Sequence, residues 1–588
     1  MSKGSSTQNY STVFAEVASV EPAAVSFRDE VKVLILRQIT VEGVDTLIKY
    51  HLFSRQIRPV IEFGGYGTVV QDILAPDGPV ARSNPDVIVL ALALDVLDQS
   101  YGSPGWKMDA TRAELANVFD LLVSSTRATI AVHNFLAPLW SEQGLMNDAQ
   151  GLDLASQVAE LNRFVLDTVR AYAPRFVLMD WDRYLRQLGA AAALDERSRH
   201  LWHAPFKRQF LDLWARQIAS LACALRGKAK KVVVLDCDNT LWGGVIGEDG
   251  LDGIQLDANV YPGRAFFEFQ TTLLHLAKRG VLLTLCSKNN EADVFEVLEV
   301  HPWCRIKRDN LAGWRVNWND KVTNISDLAN DLNLGLDSFV FVDDNPAECA
   351  LVAEMMPQVT VLQVPNKLHE LPYLLLRDGL FDTLRVTAED RERTSLYQEE
   401  GQRKAARSTF GSIEAYTRSL ETVAIIHRVT PAEISRVAQL TQKTNQFNLT
   451  TYRYSEEEIR SFMADENTAM YSLTARDRFG TLGLVGVLIV RVDNHTARVD
   501  TFLMSCRALG RRLEDAMIQH CVSDLHAARE ISSWEAAYIP TAKNAQVADF
   551  WPRLGLDEVN SANGRKLYAC AAGTLLCNTT TFVRVEKD

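Results

Sequence analysis

Two aspartates separated by one residue follow a short apolar run in the segment VVVLDCDNTLWG, residues 232–243. The run is typical of a buried strand in a parallel sheet, and Asp236 and Asp238 come directly after it, where such sheets place their ligands. Because alternate side chains of an extended chain point to opposite faces, the two carboxylates share one side and Cys237 faces away. Carboxylates this close repel each other, and a divalent cation relieves the repulsion. One carboxylate could attack phosphorus while the other exchanges a proton.

Polar residues also end or follow three later segments of the same region. The strand-like run VLLTLCS ends in Ser287, and the segment WNDK supplies Lys321. The strand-like run FVFVDD ends in Asp343 and Asp344. Taken singly, each feature has a simpler explanation, such as a helix cap, a surface lysine or a turn, and the same holds for the Asp-x-Asp pair.

The order of these segments predicts a single site, because the carboxyl ends of parallel strands meet at one edge of a sheet. In such a site a hydroxyl holds a phosphate oxygen, a lysine holds the nucleophile and the phosphate together, and the paired acids bind magnesium. The cation precedes the acidic pair by 22 residues, with a helix-like stretch between them.

The spacing of the motifs leaves no room for a lid domain inserted over the site. Only 51 residues separate Asp236 from Ser287, and much of that length is a glycine-rich loop and one helix. An open site excludes water poorly. We therefore expect a macromolecular or carrier-bound substrate, or another domain, to cover it.

The elements that must position these residues fall into three α/β blocks. Strand-like runs alternate with helical stretches, which predicts parallel sheets covered on both faces. We expect an α/β multidomain chain divided into residues 1–226, 230–385, 386–411 and 412–588. Residues 386–411 are charged and predict a helical linker.

Composition and charge exclude several classes of protein. The chain has 588 residues and no run of about 18 apolar residues, and its N-terminus is polar, so we expect a cytoplasmic protein without a membrane partner. Nine cysteines lie scattered without C-x-x-C spacing, which argues against zinc sites and disulfide frameworks. A net charge of −12 argues against nucleic acid as a partner.

The four motifs of residues 230–385 resemble those of the haloacid dehalogenase superfamily of phosphotransferases. The resemblance implies a capless, Rossmann-like domain in which Asp236 is the nucleophile and Asp238 the general acid and base. It implies a phosphate held by Thr240, Ser287 and Lys321, with Lys307 as an alternative lysine. It also implies Mg²⁺ as the cofactor. The metal ligands would be Asp236, the backbone carbonyl of Asp238, and Asp343 or Asp344, with Asp343 favoured as the direct ligand.

The C-terminal block contains a strand followed by SCRALGRR and a helix, and further on the segment NAQVADFWPRLGL, residues 544–556. Amides at a helix start together with arginines can bind phosphate. In this order the segments resemble the Gcn5-related acyltransferase (GNAT) fold, which predicts a GNAT-like α/β domain that binds pantetheine. The residues expected to bind pantetheine or a carrier protein are Arg507, Gly510, Arg511 and Asn544.

Two thiols are candidates for carrying an acyl group. Cys506 precedes the arginine loop, where a helix start and the arginines would lower its pKa, although a buried structural cysteine is the alternative. Cys286, beside Ser287, is the rival candidate. Cys237 should point into the packing of the sheet.

The N-terminal block loosely resembles the SGNH esterase-like fold. The esterase chemistry is missing, because the first strand is followed by Arg37-Gln38-Ile39-Thr40 rather than Gly-Asp-Ser, and no Asp-x-x-His follows later. We expect a degenerate SGNH-like α/β domain used for binding or scaffolding, in which His133 has a structural role.

Across the whole chain, DCDNTLWGGVIGEDG, LCSKNN, WNDK, FVDDNPAE and SCRALGRR occur in the order found in the FkbH-like family, which the chain closely resembles. The resemblance implies an enzyme of polyketide biosynthesis. Such an enzyme transfers a glyceryl unit from 1,3-bisphosphoglycerate to an acyl carrier protein and removes the remaining phosphate. Two other functions stay open: a magnesium-dependent phosphatase of small metabolites, and an acyltransferase with a vestigial phosphatase site.

Overall fold

The computed structural model describes residues 10–24, 27, 29–144, 153–407, 413–541, 543–562, 564–574 and 583–586. They form two compact units. The first comprises the described residues up to Arg226 together with Asp378–Arg385, and the second comprises Gly227–Arg377 and the described residues from Val386 onward. Asp378 belongs to the first unit, where it pairs with Arg216 at 2.7 Å, although the sequence-based division assigned it to the block 230–385.

The first unit is built on a parallel sheet with the strand order β2-β1-β3-β4-β5. Its strands are β1 Asp29–Arg37, β2 Ile57–Tyr66, β3 Val87–Ala91, β4 Thr129–His133 and β5 Phe176–Met179. Its helices are α1 Tyr10–Ala24, α2 Val44–Phe53, α3 Val69–Leu74, α4 Pro79–Ser83, α5 Leu94–Leu97, α6 Asp109–Ser125, α7 Leu154–Ala171, α8 Trp181–Leu188, α9 Ala190–Ala193, α10 Glu196–Trp202 and α11 Arg208–Leu225. Apolar clusters cover both faces of the sheet, as expected for a doubly wound α/β domain.

His133 ends strand β4 inside this core. Its Nε2 accepts a hydrogen bond from the backbone N–H of Leu92 at 3.0 Å, and its ring stacks on Trp181 with centroids 3.4 Å apart. Burial lowers the pKa of His133 to about 3, so the imidazole stays neutral. This environment fits the structural role expected for it.

The second unit begins with a five-stranded parallel sheet in the described residues, with the order β10-β9-β6-β7-β8. Its strands are β6 Val232–Leu235, β7 Leu282–Ser287, β8 Leu311–Val316, β9 Phe339–Asp343 and β10 Thr360–Gln363. Its helices are α12 Ile246–Gly253, α13 Gly263–Lys278, α14 Glu291–Val300, α15 Lys321–Leu332 and α16 Pro346–Met355. Strands β6, β7 and β9 are buried throughout, which explains their continuous apolar sequences.

The predicted linker is helical but is part of the packed second unit. Helices α17 Ala388–Arg391 and α18 Arg393–Arg407 lie between the two sheets of this unit. The Asp390 carboxylate is buried and pairs with Arg393, with Lys443 at 3.2 Å and with the side-chain amide of Gln439. These charged side chains form ion pairs inside the unit, so this part of the segment is not a solvated spacer.

The remaining residues form a mainly antiparallel sheet with the order β17-β18-β16-β15-β14-β13-β11-β19. Its strands are β11 Val423–Arg428, β12 Phe447–Asn448, β13 Thr468–Asp477, β14 Gly480–Asp493, β15 Thr496–Met504, β16 Ser533–Tyr538, β17 Asp557–Ala562, β18 Arg565–Ala571 and β19 Arg584–Glu586. Its helices are α19 Ile413–Ser419, α20 Ile434–Lys443, α21 Glu456–Ala464, α22 Leu513–Ala528 and α23 Phe550–Arg553. The segment 544–556, expected to be one helix, contains only a short turn and α23.

The short strand β12 fills a gap in this sheet. Strands β15 and β16 are parallel and pair only from Thr496 to Arg498 of β15. Beyond that point Asn448 of β12 pairs with Leu503, and the carbonyl of Leu449 accepts the amide of Ile539 at 2.8 Å. Several backbone groups of the gap are therefore paired by the chain itself.

None of the described helices combines the length and apolar character that crossing a bilayer requires.

We expect Asp390→Asn to lower the melting midpoint of the second unit by several degrees. Removing one partner of a buried ion pair typically costs about 3–5 kcal/mol, because the other charges stay buried. The control is Glu268→Gln in an exposed helical pair with Arg264 on α13 of the same unit, which should leave the midpoint within about one degree. Differential scanning calorimetry measures both, and equal midpoints for the two variants would contradict the assignment.

The pH dependence of this contribution follows from the lowered pKa of Asp390. Its pKa lies below the ordinary value of 3.8 because Arg393 and Lys443 outweigh the opposing effect of burial. The stabilisation is therefore fully present above the unfolded pKa and is lost as the pH falls below about 4. The difference in melting midpoint between Asp390→Asn and the unmodified chain should therefore become smaller as the pH falls below about 4.

Candidate active site

The predicted site residues meet at the carboxyl edge of the sheet β10-β9-β6-β7-β8. Asp236 follows β6, which lies between β7 and β9, and its backbone N–H donates to Val342 of β9 at 3.0 Å. Ser287 ends β7 and Asp343 ends β9. Adjacent parallel strands thus bring together residues that lie far apart in sequence.

Lys321 lies between two of these carboxylates. Its ammonium donates to Oδ1 of Asp236 at 2.7 Å and to Asp343, and all three side chains are nearly inaccessible to solvent. Lys321 is the first residue of α15, and the Asp320 carboxylate caps this helix by accepting the amide of Thr323 at 2.8 Å. The alternative lysine, Lys307, lies outside the site and donates to the carbonyl of Leu298.

The negative charge of the site exceeds the charge that Lys321 supplies. Carboxylate oxygens of Asp236, Asp343 and Asp344 lie within 4.8 Å of one another. Burial and the neighbouring Asp343 raise the pKa of Asp236 to about 7, although Lys321 opposes the rise. Burial and Asp343 also raise the pKa of Asp344. Three carboxylates around one ammonium are a donor set that fits a divalent oxygen-binding cation such as Mg²⁺.

Asp238 is held by three hydrogen-bond donors. Its Oδ1 accepts from the indole N–H of Trp242 at 3.0 Å and from the amide of Ile246 at 3.1 Å. Its Oδ2 accepts from the side-chain amide of Asn289 at 3.0 Å. Among the described residues this carboxylate has no ion-pair partner, and its hydrogen bonds fix its orientation, which suits a group that must both give and take a proton.

Asn289 and Trp242 were not selected from the sequence. Asn289 donates both to Asp238 and to Oγ of Ser287, at 3.0 and 3.1 Å, and so joins two of the predicted residues. Its position two residues beyond the end of β7 was the available signal. The hydrogen bond from Trp242 to Asp238 depends on a turn through Asn239. The φ of Asn239 is 52°, a value that no simple sequence pattern predicts.

Two buried hydroxyls stand beside the aspartates. Ser287 is 1% exposed, and its Oγ accepts the hydrogen bond from Asn289. Thr240 is fully buried, and its Oγ1 has no hydrogen-bond partner in the described part of the chain. A buried hydroxyl without a partner is costly, so a phosphate oxygen at this position would satisfy it.

Cys286 is not placed to act as a nucleophile. Its side chain is fully buried in the apolar cluster beneath the sheet edge, and burial raises the pKa of its thiol to about 12. A thiol of this kind is neither ionised nor reachable, which corrects the proposal that it carries an acyl group. Cys237 is also fully buried, as expected. Cys506 begins the turn Cys506–Ala508, and its side chain lies outside the described residues.

Two of the four residues expected to bind pantetheine have structural roles instead. Arg511 is buried and pairs with Asp477 at 2.7 Å and with Glu400 at 3.2 Å. The Asn544 amide is fully buried and donates to the carbonyls of Asn448 and Ile539, both at 2.9 Å, so it fixes β12 in its gap. Both N–H groups of the Asn544 amide and all three nitrogens of the Arg511 guanidinium have acceptors within the protein, which favours structural roles for these two residues.

Gly510 and Arg507, the other two residues expected to bind pantetheine, remain compatible with ligand binding. Gly510 has a φ of 76° and open space where a side chain would stand. Arg507 is 8% exposed, and its Nη1 has no hydrogen-bond partner among the described residues.

Helix α20 of the C-terminal region and the connector contact the sheet β10-β9-β6-β7-β8 at its amino edge. Lys231, just before β6, donates to the carbonyl of Lys443, and Arg393 donates to the carbonyl of Gly280, before β7. Gln398 donates to the carbonyl of Leu311 at the start of β8. These contacts lie opposite the carboxyl edge that holds Asp236, so they do not cover the catalytic residues.

Comparisons with known proteins agree with this geometry. Residues 231–365 match the family model described as NLI interacting factor-like phosphatase. The chain is also similar to the N-terminal part of protein BF1531 from Bacteroides fragilis, a crystal structure containing a phosphatase domain complexed with Mg. The identity is 27%, the TM-score is 0.58, and the match covers 63% of this chain and 99% of that chain.

The middle domain is a phosphatase of the haloacid dehalogenase type. The predicted Mg²⁺ cofactor is confirmed for this type of domain by the magnesium complex, and the carboxylates described above fit such an ion. No curated protein matches the chain.

The chain also matches two acetyltransferases. The ribosomal-protein-S18-alanine N-acetyltransferase from Escherichia coli is 14% identical and covers 26% of this chain and 94% of its own, with a TM-score of 0.21. NAA60 from Arabidopsis thaliana, in complex with a bisubstrate analogue, is 13% identical and covers 25% and 98%, with a TM-score of 0.21.

We expect Asp343→Asn to weaken Mg²⁺ binding at least tenfold, because it removes a charged ligand from the carboxylate set. Asp327→Asn, a half-exposed position on α15 of the same domain, is the matched control and should bind Mg²⁺ normally. Isothermal titration of each purified protein with MgCl₂ measures the affinities. If Asp343→Asn binds as tightly as the control, the metal lies elsewhere.

Proposed function

We propose that the chain is a magnesium-dependent phosphotransferase that removes phosphate from a carrier-bound phosphoglyceryl group. The observation that supports the phosphate chemistry is the buried contact of Lys321 with Asp236 and Asp343, at the edge where Asp238 and two hydroxyls also lie. A nucleophile, a proton-transfer group, a cation and a metal-binding carboxylate set together form a complete phosphoryl-transfer site.

The reaction proceeds in two displacements. A carboxylate oxygen of Asp236 attacks phosphorus, the phosphorus–oxygen ester bond breaks, and Asp238 gives a proton to the departing alkoxide. Asp238 then takes a proton from water, which attacks the aspartyl phosphate and releases inorganic phosphate. Lys321 and the hydroxyls of Thr240 and Ser287 hold the phosphate oxygens. Mg²⁺, held by Asp236, Asp343 or Asp344 and the Asp238 carbonyl, neutralises phosphate charge when bound.

The proposed substrate is the glyceryl unit of 1,3-bisphosphoglycerate on the pantetheine thiol of an acyl carrier protein. The resemblance to the FkbH-like family supports this choice, and so does the uncovered edge of the sheet, which admits a bulky substrate. A thiolate attacks the acyl-phosphate carbonyl, the carbon–oxygen bond to phosphate breaks, and a thioester forms without further activation. The remaining phosphate is a monoester, whose uncatalysed hydrolysis is extremely slow and needs the site described above.

We expect Asp236→Asn to lower phosphate release at least 10³-fold and to leave the carrier loaded with a phosphoglyceryl group. The amide cannot form the phosphoenzyme, whereas loading does not depend on it. Intact-protein mass spectrometry of the carrier distinguishes glyceryl from phosphoglyceryl adducts. A glyceryl adduct formed by Asp236→Asn would show that phosphate leaves by another route.

The alternative is a phosphatase of small metabolites. It predicts magnesium-dependent phosphate release at comparable rates with and without a carrier protein. Steady-state assays with 3-phosphoglycerate, in the presence and absence of the carrier, separate the two functions.

We further expect Cys506 to accept the glyceryl group before the carrier does. After incubation with 1,3-bisphosphoglycerate, mass spectrometry should detect an acyl adduct on the unmodified chain and on Cys286→Ala, but not on Cys506→Ala. Cys286→Ala is the matched control because that thiol is buried and not ionised. An adduct that survives in Cys506→Ala would exclude this role for Cys506.

A further inference from the structure

An exposed tryptophan stands at the rim of the active site. Trp318 lies in the loop between β8, which ends at Val316, and α15, which begins with Lys321. Its side chain is 70% exposed, whereas Trp242 in the same domain is fully buried. Leaving a large apolar ring in solvent is energetically unfavourable, and the fold does not require Trp318 to be exposed.

The loop that carries Trp318 is fixed at both ends. The backbone N–H of Asn317 donates to the carbonyl of Ser287 at 3.1 Å, which ties the loop to the phosphate-binding strand. The side chains of Asn317 and Asn324 donate to each other at 3.0 and 3.3 Å. On the other side Asp320 caps the helix that presents Lys321. Trp318 is therefore held beside the mouth of the site by a firm loop.

The catalytic edge needs a contact of this kind. No lid is inserted between the motifs, and the described contacts of α18 and α20 with this sheet are made at the opposite edge. The buried groups of the site hold only the phosphate, so binding energy for the rest of the substrate must come from the rim. An indole offers a large, rigid apolar face at a small entropic cost.

We propose that Trp318 binds the pantetheine arm of the carrier-bound substrate and thereby determines specificity. The arm is a chain of methyl, methylene and planar amide groups, which can pack on an indole face. This inference rests on the proposed function, since it assigns a binding contact for that substrate.

The test compares two substrates that share one phosphate. The first is 3-phosphoglycerate, and the second is synthetic 3-phosphoglyceryl-pantetheine thioester, with phosphate release as the readout. Trp318→Ala should raise KM for the thioester about tenfold and leave kcat and KM for 3-phosphoglycerate unchanged. Trp318→Phe should restore most of the affinity. Trp202→Ala, a similarly exposed tryptophan of the first unit at 68%, should change neither substrate.

A binding measurement separates this inference from the proposed reaction. Isothermal titration of the thioester into Asp236→Asn, with and without Trp318→Ala, reports affinity without turnover. A tenfold loss with Trp318→Ala supports the inference even if the unmodified chain releases no phosphate, a result that would overturn only the proposed reaction. Equal affinities, or equal rises in KM for both substrates, would overturn the role of Trp318.

Discussion

The ammonium of Lys321 between Asp236 and Asp343 is the contact on which the catalytic edge depends. Three acidic side chains converge there because their strands are adjacent, and without a cation their mutual repulsion would oppose this packing. The lysine offsets only part of that charge. Burial, together with the neighbouring Asp343, raises the pKa of Asp236, and the uncompensated charge leaves a divalent ion as the remaining source of balance. Folding and catalysis therefore share one electrostatic requirement.

The two edges of the phosphatase sheet serve different purposes. The carboxyl edge holds the reactive groups, whereas the amino edge carries the contacts with α18 and α20. The buried Asp390 and its partners belong to this second region, where charges are matched within the protein.

Much of the catalytic edge could be predicted from the sequence, because its residues directly follow apolar strands. Asp236, Ser287 and Asp343 lie where strand ends predicted them, and Lys321 was found from its distance to the acidic pair. Asn289 was missed because an amide after a strand resembles an ordinary turn residue. Strand β2 has no clear local signal, since IRPVIEFGGY mixes polar and apolar residues along a sheet edge.

The C-terminal residues were harder to predict because burial decides their role. Arg511 and Asn544 are polar residues in plausible ligand-binding segments, but each is satisfied by a partner distant in sequence. No local pattern contains that information. The N-terminal sheet has the expected parallel topology, and its likeness to the esterase-like fold stays a prediction.

The strand β12 has a consequence for the order in which the C-terminal domain can assemble. Asn448 pairs with Leu503, and the neighbouring Leu449 carbonyl accepts a hydrogen bond from the amide of Ile539, 90 residues further along the chain. Asn544, which fastens β12, comes later still. Such non-local pairings pay the entropy of loop closure before they gain stability. During synthesis the hydrogen bond between Leu449 and Ile539 therefore cannot form until β16 and the residue after it have been made.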